Sequence, residues 1–188
     1  AGFDVKNLYR IAQLQVAAGD RAGAEYSLQK VILQQENFLP AHALLAELEI
    51  QAGQYASADA RIQRLQANAS TQAAGQRLQA EMYLRQRRFD LAVASYQAAL
   101  GKADTLDNAL GLYRAWQAAG KPQEAARHME AWDRKHPGQS GAQRALAEAY
   151  LAAGRLPEAR LAYERILATD RNDPVALNNL ANVLLLQG

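Results

Sequence analysis

The side chains best equipped for chemistry are arginines set four residues from carboxylates. Arg77, Glu81 and Arg85 form one such run, and Arg144 and Glu148 another. A guanidinium fork holds a carboxylate by two parallel hydrogen bonds, so these arginines could seize an acidic partner. On a helix the same spacing lets them satisfy one another instead, for about 0.3–0.5 kcal/mol per pair. Catalytic sets are missing. His42, His128 and His136 give no pair at metal-ligand spacing on one helix face. Ser27, Ser57, Ser70, Ser95 and Ser140 are unaccompanied by a base. The chain has no cysteine, which excludes disulfides, thiol catalysis and zinc–thiolate sites. No glycine-rich phosphate loop occurs. The expectation is therefore binding without catalysis, and with neither cofactor nor metal.

The elements that must position these residues are set by a repeat. Glycines 19, 53, 120, 154 and 188 are separated by 34, 67, 34 and 34 residues, and Arg87 stands where the missing glycine would fall. That register gives units 5–38, 39–72, 73–105, 106–139 and 140–173, then a half unit 174–188. The eighth column reads Ala12, Ala46, Ala80, Tyr113, Ala147, Ala181, and the twentieth Ala24, Ala58, Ala92, Ala125, Ala159. Small residues there let two helices approach closely. A bulky column follows, Leu28, Ile62, Tyr96, Met129, Tyr163, and an apolar one, Val31, Leu65, Ala99, Trp132, Ile166.

Within a unit the apolar period is helical, and the glycine closes the first helix in a left-handed turn. Pro40, Pro122, Pro157 and Pro174 fall where helices should begin, and Pro137 falls between units. The short unit makes 101–105 the expected irregular turn. A single hairpin cannot bury its own face, so stability must come from stacking. The prediction is one all-α array over residues 1–188, a right-handed α-solenoid of about eleven helices without strands.

Composition agrees. Hydrophobic residues make up 49% of the 188, much of it alanine, the best helix former. Basic and acidic residues number 21 and 19, interspersed, which resembles a solvated surface more than a nucleic-acid footprint. No apolar run reaches the roughly 20 residues of a membrane span. The chain opens Ala1-Gly2-Phe3 without an initiator Met, so it is expected to be a piece excised from a longer protein.

These columns resemble the tetratricopeptide repeat, most fully in unit 140–173 with Leu146, Ala147, Tyr150, Gly154, Ala159 and Tyr163. Gln79 in place of leucine and Arg87 in place of glycine depart from the pattern. The resemblance implies that first helices line a concave face that binds a protein or peptide. The fifth, ninth and twelfth residues of each unit then form a stripe. Its polar members include Tyr9, Gln13, Glu47, Arg77, Glu81, Arg114, Arg144, Glu148, Asn178 and Asn182, with Arg85 a turn beyond Glu81. Arginines over an apolar floor suit a peptide carrying carboxylates. Two specialised family sites are not matched: the lysine–asparagine carboxylate clamp and the glycosyltransferase asparagine ladder.

The Ala-, Gln-, Leu- and Arg-rich texture also resembles tetratricopeptide proteins of bacterial exopolysaccharide and exosortase gene clusters, which implies a periplasmic or envelope setting. An alternative role is a regulatory or substrate-recruiting region of an enzyme whose catalytic domain lies elsewhere. The last helix carries Val175, Leu177, Leu180, Val183, Leu184, Leu185 and Leu186 and no charge after Asp173. Either fraying of residues 174–188 or self-association through them is therefore expected.

Overall fold

Alternating helix-forming runs and helix stops leave the chain one way to satisfy its backbone, as successive helical hairpins. The computed structural model describes residues 4–188 and contains eleven helices and no strand among them. They are α1 (Val5–Ala17), α2 (Arg21–Gln34), α3 (Leu39–Gln51), α4 (Tyr55–Gln66), α5 (Gln72–Arg85) and α6 (Phe89–Lys102), then α7 (Leu106–Ala118), α8 (Pro122–Lys135), α9 (Ser140–Ala152), α10 (Leu156–Thr169) and α11 (Pro174–Gln187). The chain forms two compact lobes, Ala1–Lys102 and Ala103–Gly188. The boundary falls inside the segment 101–105 expected to be irregular, although Gly101 and Lys102 still belong to α6.

Five hairpin turns close in the same way. At the first, the Gly19 amide donates to Val16 O at 3.0 Å and the Asp20 amide to Gln15 O at 2.8 Å. This double bond pattern ties off the last carbonyls of a helix and requires a left-handed residue. Gly19, Gly53, Gly120 and Gly154 supply it with φ between 69 and 76°. In the α5–α6 turn Arg87 does so at φ 60°, its amide donating to Leu84 O and the Arg88 amide to Tyr83 O. Helix starts are more varied, and α4, α5 and α9 have neither a proline nor a side-chain cap. Proline occupies the first turn of α3, α8, α10 and α11, and Asp20, Thr105 and Asp173 accept from amides of the turn that follows.

In the N-terminal lobe one core joins Leu8 and Ala12 of α1 to Leu28 and Val31 of α2 and Leu45 of α3. A second joins Ala46 and Ile50 of α3 to Ile62 and Leu65 of α4 and Leu78 of α5. Gly75 marks the closest approach there, since a Cβ on it would lie 2.8 Å from Gln66 Cγ and 3.0 Å from the Gln66 amide nitrogen. Gln79, the polar residue in a leucine column, is accommodated by accepting from Gln66 Nε2 at 3.2 Å. In the C-terminal lobe Tyr163 and Ile166 of α10 pack with Ala147 of α9 and with Ala176 and Val183 of α11. The four repeat columns are buried throughout α1–α10, whereas Ala181 of α11 is exposed.

A non-glycine residue in the left-handed region costs roughly 1–2 kcal/mol. Glycine returns part of that gain through greater freedom in the unfolded chain. Arg87→Gly is expected to raise stability by about 0.5–1 kcal/mol in chemical denaturation. A destabilised variant would show that the Arg87 side chain holds the turn.

Candidate functional site

The first helices of each hairpin present the stripe on which binding residues were expected, and the two lobes differ in how they use it. In the N-terminal lobe Tyr9, Gln13 and Val16 of α1 face Pro40, Ala43, Leu44 and Glu47 of α3 across an open hollow of about 410 Å³. The floor is apolar and the rim carries a phenol, an amide and a carboxylate. Tyr9 is fixed by edge contact with Phe38, ring centroids 5.2 Å apart. Its phenol pKa is pushed up by burial and by the charge of Glu47, against a hydrogen bond with Gln13 that lowers it.

Beyond this hollow Arg77 is held from two sides. Its Nη2 donates to Glu47 Oε1 at 2.9 Å, linking α5 to α3, and its Nη1 donates to Glu81 one turn on. Burial alone would lower the Arg77 pKa, but Glu81 and Glu47 outweigh it and hold it above the ordinary value. Arg85 is exposed on the last turn of α5. The guanidinium at the centre of this lobe thus already has two carboxylates.

In the C-terminal lobe Arg114 is exposed and makes no ion pair among the described residues. Arg144 does not turn to Glu148, as i,i+4 spacing allows, but to Asp173. Asp173 is 2% exposed, and its other oxygen accepts from the Val175 and Ala176 amides at 3.0 Å. Arg144 therefore secures the start of α11. Glu148 is exposed and accepts from the Tyr113 hydroxyl at 3.4 Å, and Gln117 Nε2 donates to that hydroxyl at 3.2 Å. Asn178 and Asn182 lie exposed on α11.

Tyr113, Tyr163 and Asp173 shape this surface without having been singled out for it. The signal for Tyr113 was its place in a column otherwise occupied by alanine. Tyr163 is 1% exposed, and its hydroxyl, near Asn179, makes no well-formed hydrogen bond. Burial, then the charge of Glu148, pushes its pKa up to about 12. Among the described residues no group of three metal-ligating side chains assembles, and no helix is long and apolar enough to cross a membrane.

A phenol whose folded pKa lies above its unfolded value of about 10 favours the folded state below that pH. The contribution is lost as pH rises through about 12. Wild-type chain is thus expected to lose stability between about pH 10 and 12, and Tyr163→Phe to lose less of it. Denaturation at stepped alkaline pH measures both. Equal pH dependence in the two proteins would show that Tyr163 ionises without penalty.

Family models described as tetratricopeptide repeat match residues 43–108 and 117–188, together well over half of the chain. No curated protein matches. Many solved structures share the fold. A thermophilic TPR protein of Thermus thermophilus superposes with TM-score 0.71 at 20% identity, covering 97% of this chain and 100% of its own. The C-terminal part of a TPR repeat-containing protein from Cytophaga hutchinsonii gives 0.73 at 19%, covering 93% and 69%. Nearly identical TPR-like repeats of a putative kinesin light chain from Podosopora anserina give 0.71 at 22%, covering 90% and 97%. With its columns buried, its hairpins closed alike and its sequence matched on both sides of the lobe boundary, the chain belongs to the tetratricopeptide repeat family, whose repeats serve as protein-interaction scaffolds.

Proposed function

We propose that this chain is a non-catalytic scaffold that holds an extended or helical peptide of a partner protein against its first helices. The observation that carries the reading is the hollow between α1 and α3. Its volume of about 410 Å³ and its pairing of apolar side chains with Tyr9, Gln13 and Glu47 suit a peptide that brings both kinds of group. Tyr9, Gln13 and Glu47 orient the peptide there, and Val16, Ala43 and Leu44 take its apolar anchors. Arg77 and Glu81 hold the rim in shape.

In the C-terminal lobe Arg114 is the guanidinium available to a carboxylate on the partner. Glu148, Asn178 and Asn182 offer further polar contacts. The texture of the sequence supports a place in a bacterial envelope or polysaccharide-export assembly. The apolar side chains of α11 support self-association through residues 174–188. Val183 is buried and Leu180 half-buried, but Leu185 is 82% exposed, and Val175, Leu177, Leu184 and Leu186 are also exposed.

A photo-crosslinking residue placed at Gln13, Arg114 or Asn182 is expected to capture a partner that the same residue at Lys30 on α2 does not. Arg114→Ala combined with Gln13→Ala should weaken that partner at least tenfold, about 1.4 kcal/mol. Capture from Lys30 alone, or unchanged affinity in the folded double variant, would move the site elsewhere. Sedimentation over micromolar concentrations tests self-association. Reversible dimerisation lost in Leu185→Gln is expected, and a strict monomer rejects it.

A further inference from the structure

Two more hollows lie against the second helices, one in each lobe. Counted from the turn glycines Gly53 and Gly154, they are the same place in the repeat. Arg61 corresponds to Ala162, Arg64 to Arg165, and Glu49 to Tyr150. What differs is the side chain eight residues after the turn glycine, Arg61 in one lobe and Ala162 in the other.

In the N-terminal lobe a guanidinium is seated there, beside an open hollow of about 340 Å³. Arg61 Nε donates to the two oxygens of Glu49 at 2.9 and 3.0 Å, and its Nη1 donates to His42 Nδ1 at 3.2 Å. Glu49 and His42 are 6% and 4% exposed, so this is a buried carboxylate and a buried imidazole receiving one guanidinium. Arginine has no acceptor. His42 Nδ1 is therefore bare, and Nε2 donates its proton to the Glu36 carbonyl at 2.8 Å. Burial favours that neutral form.

In the C-terminal lobe Ala162 stands in place of Arg61 and a cavity of about 170 Å³ remains. One water needs only about 10–15 Å³ measured this way, and small-molecule sites begin near 300 Å³. The size suits a single long side chain. Leu146, Tyr150 and Leu161 offer walls to its methylenes, and Asp133 of α8 supplies a carboxylate. Oδ1 of Asp133 is buried without a hydrogen-bond partner, a state folded proteins seldom leave standing. Rotation of the carboxyl, a soft torsion, can present either oxygen to a guest. Glu158, also on the wall, is already bound by Arg155. Arg165 shares the rim, as Arg64 does beside Arg61, and Arg64 does not keep the Arg61 guanidinium out.

From these observations we infer that the cavity between α8, α9 and α10 is a socket for an arginine side chain presented by a partner protein. The guest enters where Arg61 lies in the other lobe and pairs with Asp133. Leu146 and Tyr150 flank that pair, and the vacancy left by Ala162 gives it room. This socket does not depend on the first-helix groove.

The probe is N-acetyl-arginine N-methylamide, with the citrulline analogue as its uncharged isostere, read by amide shifts of the whole chain in two-dimensional NMR. The arginine probe at millimolar concentration should give saturable shifts at Asp133, Tyr150 and Ala162, and the citrulline analogue should bind at least tenfold more weakly. Asp133→Asn should weaken arginine binding at least tenfold. Ala162→Arg should abolish it by seating a guanidinium of the chain itself, with a rise in Tm. Absence of saturable shifts in wild type, or equal affinity for the two analogues, overturns the inference. If Asp133→Asn does not fold, Ala162→Leu closes the cavity with an apolar group, and undiminished arginine binding to it overturns the inference equally. Arg114→Ala should leave these shifts unchanged, so the socket and the groove fail separately.

Discussion

A backbone turn that only a left-handed residue can make governs this protein. Every hairpin reverses where an amide reaches back to the carbonyl at the start of the last helical turn, and that bond fixes how the second helix leaves the first. The small residues at Ala12, Ala46, Ala80 and Ala147 can meet those at Ala24, Ala58, Ala92 and Ala159 only because the exit angle repeats. In three turns a cation reinforces the geometry. Arg88 lies over Tyr83, Lys121 over Trp116 and Arg155 over Tyr150, each pair being the donor and acceptor residues of the reach-back bond. Such contacts contribute about 0.5–1 kcal/mol at exposed sites.

The fold was legible because its determinants are local and repeat. A glycine at fixed spacing, an alanine column and proline at helix starts each report one geometric need, and recurrence separates them from chance. The one departure in the turn series, Arg87, adopts the glycine conformation instead of changing the turn. The polar surface was less legible, because pairing there depends on side chains from other helices. The i,i+4 rule foresees Arg77–Glu81 but not the reach of Arg77 to Glu47, thirty residues earlier. It offers Glu148 to Arg144, whereas the buried cap Asp173, brought near by the next hairpin, takes the guanidinium. Arg114, by contrast, makes no ion pair among the described residues.

Several ion pairs join neighbouring helices. Arg61 and Glu49 join α4 to α3, Arg77 and Glu47 join α5 to α3, and Arg155 and Glu130 join the α9–α10 turn to α8.

The reach of each helix along the chain has a further consequence. Within a lobe, the main packing partners of each described helix are the next one or two in sequence. Loops closed during folding are therefore short, and their entropic cost is small. Low contact order of this kind goes with folding in microseconds to milliseconds, and nucleation can begin at any adjacent pair of hairpins. The same locality limits cooperativity. A disturbance at one hairpin is transmitted by its immediate neighbours and fades beyond them, so a partner that stiffens one stretch of the stack changes the protection of that stretch first.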